Sequence, residues 1–171
     1  WLMKLFQAAG LPDGVINLVV GSGSAIGNPV LADSHLAGIH FTGSTGVFND
    51  MWKTIGANMS HYRSYPRIVG ETGGKDFIFA HPSADPTALV TAIVRGAYEY
   101  QGQKCSAASR AYIPSNIWPK IKDELIAQID GIKMGDVCDF SNFMGAVIDA
   151  GSFKTQKAAI DAAKASSDAK I

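Results

Sequence analysis

The chain has 171 residues, enough for one ordinary domain or for two incomplete ones. Apolar residues make up 47% and charged residues 18%, a composition that supports a packed core and excludes a disordered chain. Fifteen basic residues balance fifteen acidic ones, which gives no support for binding nucleic acid or an anionic membrane surface. No apolar run approaches the roughly 20 residues that span a bilayer, so we predict no membrane insertion.

The two ends of the chain predict an internal piece of a longer polypeptide. The chain opens without Met, inside a predicted helix, and closes on residues that are typical of the start of an unfinished element. It offers no targeting segment to interpret.

The first part of the chain alternates predicted helices and strands. In chain order the predicted elements are a helix over 1–9, a buried parallel strand over 15–20, a Gly/Ser loop over 21–27, a short helix to about 32, a strand over 36–41, a turn over 42–46 and a helix over 47–59. The short apolar run at 15–20 is rich in β-branched residues, which is typical of a strand buried on both faces.

The second part continues the alternation. The predicted elements are an irregular connection over 61–66, strands over 67–70 and 76–80, a helix to about 100, a loop over 101–107, a strand over 109–113, a helix to about 129 and a last helix from about 152. In the helix to about 129, four isoleucine or leucine residues form one stripe: Ile117, Ile121, Leu125 and Ile129. Alternating strands and helices predict an α/β fold with a parallel sheet.

Two glycine-containing turns are candidate phosphate sites. Gly21–Gly27 lies between a predicted strand and a helix, but its GxGxxxG spacing departs from the dinucleotide fingerprint, and a plain turn is favoured. Gly43–Gly46 also lies between a strand and a helix, and its Ser hydroxyl and free amides suit a phosphate. A simple capped turn explains the second pattern equally well.

Glu71 and Cys105 are candidate catalytic residues. Glu71 lies among small residues in a predicted loop, where partial desolvation would raise the pKa of the carboxyl group and suit it to general-base work. Locally, a Glu that caps a turn is the favoured alternative. Cys105 lies in a polar loop of small residues beside Lys104, a setting more typical of a reactive thiolate than of a structural cysteine.

The other cysteine and the histidines suggest no further chemistry. Cys138 lies in an acidic turn, which disfavours a thiolate, and we interpret it as inert. The two cysteines have no CxxC spacing and no neighbouring His pair, so we predict no metal site. None of the four histidines has the pattern of a Cys–His partner, which leaves a cysteine hydrolase little support.

Three motifs in this order resemble those of the aldehyde dehydrogenase superfamily. They are the phosphate-side turn Phe41–Thr45, the general-base motif Glu71–Lys75 and the nucleophile motif Gly102–Cys105, with Arg110 following. Cys105 follows Glu71 by 34 residues, a separation similar to that of the superfamily. Thr72, Ser106 and the segment 146–153 resemble the branch that oxidises L-glutamate γ-semialdehyde in proline breakdown, in its eukaryotic mitochondrial form.

The resemblance implies a fold, a cofactor and roles for particular residues. Residues 1–78 would be the second half of a Rossmann-like NAD-binding domain, and residues 79–171 the start of the catalytic α/β domain. Cys105 would be the nucleophile, Glu71 the general base and Ser106 a substrate contact. Five residues would lie beside the pyrophosphate of NAD: Gly43, Ser44, Thr45, Gly46 and Val47. The loop 21–27 would not be the main phosphate contact.

The resemblance also implies partners and a location. The substrate would be a small aldehyde, with no nucleic acid, membrane or metal involved, and the full-length parent would be a homo-oligomer of the mitochondrial matrix. The 171 residues match only the middle of a far longer enzyme, so alone they would be inactive. Two alternatives remain: an aldehyde dehydrogenase with a different substrate, and a non-catalytic binding module of the same fold. The presence of both Cys105 and Glu71 disfavours the second.

Overall fold

Parallel strand pairing organises both parts of the chain. A computed structural model describes residues 1–169, which form two compact units divided between Thr72 and Gly73. The first unit contains, in order, α1 (Leu2–Ala8), α2 (Gly23–Ala32), β1 (Gly38–Thr42), α3 (Thr45–Ala57), a 3-10 turn (Met59–His61) and β2 (Arg67–Glu71). The second contains β3 (Phe77–Phe79), α4 (Pro86–Tyr98), a 3-10 segment (Glu99–Gly102), β4 (Arg110–Tyr112), α5 (Trp118–Asp130) and α6 (Ala150–Ala165).

Each unit contains one pair of parallel strands joined by a helical connection. β1 pairs with β2 from Gly38 opposite Arg67 to Thr42 opposite Glu71. β3 pairs with β4 from Phe77 opposite Arg110 to Phe79 opposite Tyr112. Parallel strands require a crossover connection, which α3 supplies in the first unit and α4 in the second. The predicted α/β alternation with parallel pairing is therefore confirmed.

Each unit has its own apolar core. In the first unit the buried residues Leu36, Ile55 and Tyr62 pack together, and the Tyr62 hydroxyl donates a 2.6 Å hydrogen bond to the carbonyl of Leu31. The second core is larger and lies between α4 and α5; its buried members are Ala80, Leu89, Val90, Ile93, Val94, Ile117, Ile121 and Leu125. The stripe predicted for α5 is confirmed, since Ile129 also packs against this cluster.

The strand predicted over 15–20 is wrong. These residues form no helix or strand, and their apolar side chains are exposed, from 44% for Ile16 to 86% for Val20. A run that is apolar on both faces forms a strand only where neighbouring strands and helices cover it. Among the described residues this run has no strand paired with it, which explains the difference.

Smaller differences concern where elements begin and end. α2 begins at Gly23, inside the predicted loop, because the Ser22 side chain accepts a 3.3 Å hydrogen bond from the amide of Ala25. Glu71 is the last residue of β2 rather than a loop residue. The compact units divide at Thr72/Gly73, and the assignment of 1–78 to cofactor binding and 79–171 to catalysis stays a prediction. No helix among the described residues is both long and apolar enough to cross a membrane.

Truncating the core of the second unit should destabilise it strongly. Ile121 is fully buried, so Ile121→Ala removes apolar contacts and leaves a cavity, lowering the free energy of unfolding by about 2–5 kcal/mol. Ile126 lies on the same helix and is 46% exposed, so Ile126→Ala should cost about 0.5 kcal/mol or less. Urea denaturation followed by circular dichroism compares the two, and equal losses would contradict this assignment of the core.

Candidate active site

The turn after β1 joins two of the predicted motifs within the first unit. The Gly43 amide donates a 3.1 Å hydrogen bond to the carbonyl of Glu71, so the phosphate-side turn begins beside the end of β2. Ser44 caps α3, its side chain accepting a 3.4 Å hydrogen bond from the amide of Val47. Amides in the first turn of a helix lack partners within the helix. Thr45 and Gly46 therefore present theirs at this end of α3.

Two glycines make room for an aromatic stack behind this turn. The rings of Phe41 and Phe48 stack with centroids 5.9 Å apart and planes within 6°. A Cβ on Gly43 would lie 2.5 Å from the Phe41 ring, and one on Gly70 would overlap the Phe48 ring. The absence of side chains at these positions lets the turn and β2 approach the stack closely.

A cavity of about 320 Å³ lies between α2 and α3. Small and apolar residues form much of its lining: Gly23, Gly27, Leu31, Phe41, Val47 and Met51. Gly23 and Gly27 belong to the glycine motif 21–27, for which a plain turn was the favoured prediction, whereas Val47 lies in the first turn of α3. The glycine motif 21–27 and the start of α3 therefore line one cavity. The GxGxxxG spacing was the available signal, but it does not indicate what packs opposite.

The backbone of Glu71 is hydrogen-bonded, and its side chain is exposed to solvent. It ends β2, its carbonyl accepts from the Gly43 amide, and its side chain is exposed. The partial desolvation expected from the sequence is not found, because β2 ends at the surface of the first unit.

Cys105 lies at the tip of a turn in the second unit. The amide of Ala107 donates a 3.1 Å hydrogen bond to the carbonyl of Lys104, which makes Cys105 and Ser106 the two central residues of the turn. Both side chains are exposed, so the thiol and the hydroxyl are open to a ligand. The next residue, Ala108, donates from its amide to the carbonyl of Gly96 in α4 at 2.9 Å.

Lys104, which precedes Cys105 in the sequence, forms an ion pair with Glu99. Its ammonium group lies 2.7 Å from a carboxylate oxygen of Glu99, and Arg95 contacts the other oxygen at 2.5 Å. The hydrogen bond from Lys104, followed by the charge of Arg95, lowers the pKa of the Glu99 carboxyl below its ordinary value. The Lys104 charge is therefore paired with Glu99, the residue that follows α4.

The backbone before Cys105 adopts an uncommon conformation. Tyr100, Gln101 and Gly102 have φ values of 54°, 58° and 66°, in the left-handed region. For the two residues with a Cβ this costs about 1–2 kcal/mol each. At Gly102 a Cβ would lie 2.8 Å from the carbonyl of Ala97, so only glycine fits without displacement. This reversal carries the chain from α4 into the Cys105 turn.

Gly74 lies directly against the Cys105 turn. A Cβ on Gly74 would overlap the carbonyl oxygen of Cys105, so the second glycine of the Glu71–Lys75 motif allows close contact between the two backbones. Nearby, the amide of Ser109 donates to the carbonyl of Asp76 at 2.9 Å. The segments before β3 and β4 are thus fixed side by side.

Among the described residues no group of three or more His, Cys, Asp or Glu side chains could hold a metal ion. Cys138 is exposed in a turn where its amide donates to the Asp136 carboxylate at 2.8 Å. Its inertness stays a prediction.

Adding one methyl group at Gly74 should disturb the Cys105 turn. We expect Gly74→Ala to lower the free energy of unfolding by about 1–3 kcal/mol, because the new Cβ meets backbone atoms that cannot rotate away. Gly56 in α3 has open space around its Cα, so Gly56→Ala should raise stability by about 0.4–1 kcal/mol. Urea midpoints compare the variants; an unchanged midpoint for Gly74→Ala would contradict the contact.

Comparisons with known proteins agree on one family. The model of the aldehyde dehydrogenase family matches residues 1–170. The mitochondrial delta-1-pyrroline-5-carboxylate dehydrogenase of Dictyostelium discoideum is 52% identical over 174 residues, covering 100% of this chain and 31% of that protein. The human protein of the same name is 43% identical, covering 95% of this chain and 29% of its own length.

Solved structures give the same result for the fold. The delta-pyrroline-5-carboxylate dehydrogenase of Mycobacterium tuberculosis, solved with bound NAD, is similar with a TM-score of 0.91 and 54% identity, covering 96% of this chain and 31% of that one. The chain therefore spans about a third of the length of the relatives it matches. These findings confirm the resemblance and the expected α/β fold: the chain belongs to the aldehyde dehydrogenase family.

Proposed function

We propose that the protein containing this chain oxidises L-glutamate γ-semialdehyde to L-glutamate with NAD. The observation that carries the proposal is an exposed Cys105 at the tip of a turn fixed on both sides, in a chain 54% identical to the delta-pyrroline-5-carboxylate dehydrogenase solved with NAD. Family membership supports the reaction class. The names of the relatives support the substrate, because hydrolysis of the cyclic imine delta-1-pyrroline-5-carboxylate opens it to L-glutamate γ-semialdehyde.

Cys105 is the proposed nucleophile. Its thiolate attacks the aldehyde carbon and forms a thiohemiacetal, with the Cys105 backbone amide helping to hold the oxyanion. Loss of hydride from that carbon leaves a thioester on Cys105. Glu71 then deprotonates the water that hydrolyses the thioester, which releases the carboxylic acid and regenerates the thiol. The exposed Glu71 carboxylate is free to accept this proton.

Two features of the first unit support NAD binding. The amides of Thr45 and Gly46 at the start of α3 suit a phosphate group, and Ser44 and Val47 complete that turn. The cavity between α2 and α3 suits a flat ring, since glycines and apolar side chains form much of its lining. When bound, NAD supplies the hydride acceptor that no protein side chain provides. The amide of Gly43 is not available to a phosphate group, because it already donates to the carbonyl of Glu71.

The names of the relatives support a location for the protein. The relatives from Dictyostelium, human and zebrafish are named mitochondrial, which supports the matrix as the location. A homo-oligomeric parent stays a prediction from family resemblance.

Substituting the two proposed catalytic residues one at a time in the full-length protein should separate acylation of Cys105 from hydrolysis of the thioester. Cys105→Ala removes the only group proposed to bond to the aldehyde, so NADH production should fall to background. Glu71→Gln leaves acylation intact but removes the base, so one equivalent of NADH should form rapidly before turnover slows by about 10²- to 10⁴-fold. Stopped-flow absorbance of NADH records both.

Cys138→Ala is the matched control, because Cys138 is also exposed in a turn. It should keep wild-type turnover. The assignment fails if Cys138→Ala abolishes activity or if Cys105→Ala retains it. A non-catalytic module of the same fold would show no burst in any variant, and a different aldehyde specificity would appear as a higher kcat/KM for another aldehyde.

Ser106 is proposed to recognise the carboxylate of the substrate. Its hydroxyl lies beside Cys105 in the turn and is exposed, so it can donate a charge-assisted hydrogen bond worth about 1.5–3 kcal/mol. Ser106→Ala should then raise KM for glutamate semialdehyde about 10- to 100-fold, with little change for propanal, which has no carboxylate. Equal effects on both aldehydes would remove Ser106 from the carboxylate site.

A further inference from the structure

Two glutamine side chains tie the segment before Cys105 to a distant part of the second unit. The Gln101 side-chain amide donates a 3.1 Å hydrogen bond to the carbonyl of Ala146, 45 residues along the chain. The side-chain oxygen of Gln103 accepts a 3.0 Å hydrogen bond from the amide of Ile148, also 45 residues away. Gln101 and Gln103 are two residues apart, and so are Ala146 and Ile148. The two hydrogen bonds therefore join the two segments side by side.

Gln103 uses both ends of its side-chain amide. While its oxygen accepts from Ile148, its nitrogen lies 3.4 Å from the carbonyl of Tyr100, to which the Gln103 backbone amide also donates at 3.1 Å. One acceptor and one donor are needed at the same time. A carboxylate lacks the donor and a thioether lacks the donor and a strong acceptor, so glutamine matches both partners.

These hydrogen bonds hold the segment 100–103, whose backbone conformation is unfavourable by itself. Tyr100 and Gln101 have positive φ, a conformation that persists only where surrounding contacts determine it. Gln103 is two residues before Cys105 and adjoins Lys104, the first residue of the Cys105 turn. Gly145 leaves space for the Gln101 side chain, since a Cβ there would lie 3.1 Å from its nitrogen.

We propose that Gln103, supported by Gln101, is a positioning residue that fixes the Cys105 turn against residues 146–148. Its catalytic consequence rests on the proposed function. Without these hydrogen bonds the turn occupies more conformations, and Cys105 spends less time in the geometry for attack. Because neither glutamine is assigned to cofactor binding, the effect falls on kcat and leaves the KM for NAD unchanged.

Three variants of the full-length protein test this. Gln103→Met keeps the length of the side chain and removes both hydrogen bonds, and Gln103→Glu keeps the acceptor for Ile148 alone. Gln128→Met is the control, because Gln128 is exposed on α5 and its side chain donates to Glu124 of the same helix. Hydrogen exchange by mass spectrometry reports on the peptide containing Ile148, while steady-state kinetics give kcat and the KM for NAD.

We expect Gln103→Met to speed exchange at Ile148 and to lower kcat about 10- to 100-fold at unchanged KM for NAD. Gln103→Glu should retain slow exchange at Ile148 with an intermediate kcat, and Gln128→Met should match the wild type. Unchanged exchange in Gln103→Met would overturn the proposal, as would faster exchange with wild-type kcat. If the wild type itself oxidises no aldehyde, the proposed function fails, and exchange at Ile148 still decides whether Gln103 holds the turn.

Discussion

Parallel strand pairing is the constraint on which the arrangement of the candidate residues depends. In a parallel pair both strands start at one edge and end at the other. In the first unit, Thr42 and Glu71 are therefore opposite each other where β1 and β2 end, and the Gly43 amide bonds to Glu71 just beyond. In the second unit the same rule acts at the opposite ends: β3 and β4 start together, so Gly74 meets the backbone of Cys105.

Close backbone approach, rather than side-chain chemistry, explains several glycines of the motifs. Gly74 lies against the Cys105 carbonyl, Gly70 lies against the Phe48 ring, and Gly43 lies against the Phe41 ring. At each of these positions a methyl group would overlap or press on a neighbour. The Glu71–Lys75 motif thus spans both units: Glu71, the proposed general base, ends β2 in the first unit, and Gly74 lets the Cys105 turn approach in the second.

Periodicity predicted most helices and strands because local pattern and tertiary burial agree there. The α5 stripe is an example, since Ile121 and Leu125 are buried. The run at 15–20 shows the limit: a pattern predicts what a segment would bury, while strand formation also needs a partner. The sequence motifs identified Cys105 and Glu71 as candidates, but long-range contacts decide how the segment around Cys105 is held. The bond between Gln103 and Ile148 and the left-handed backbone at Tyr100 leave no periodic signal.

Backbone contacts define the place of the Cys105 turn. A neighbouring cation is one of the common means of favouring a thiolate, and Lys104 is adjacent in sequence. Its ammonium group is instead held by Glu99, which Arg95 also contacts, so this positive charge stabilises the end of α4. What the second unit gives Cys105 is a defined place: Gly74 on one side, the bond from Ala108 to Gly96 in α4 on another, and the glutamine bonds before it. The thiol of Cys105 is therefore exposed on a turn whose backbone is held at several points, and for the proposed reaction a turn held in this way would limit the positions that the thiol can take.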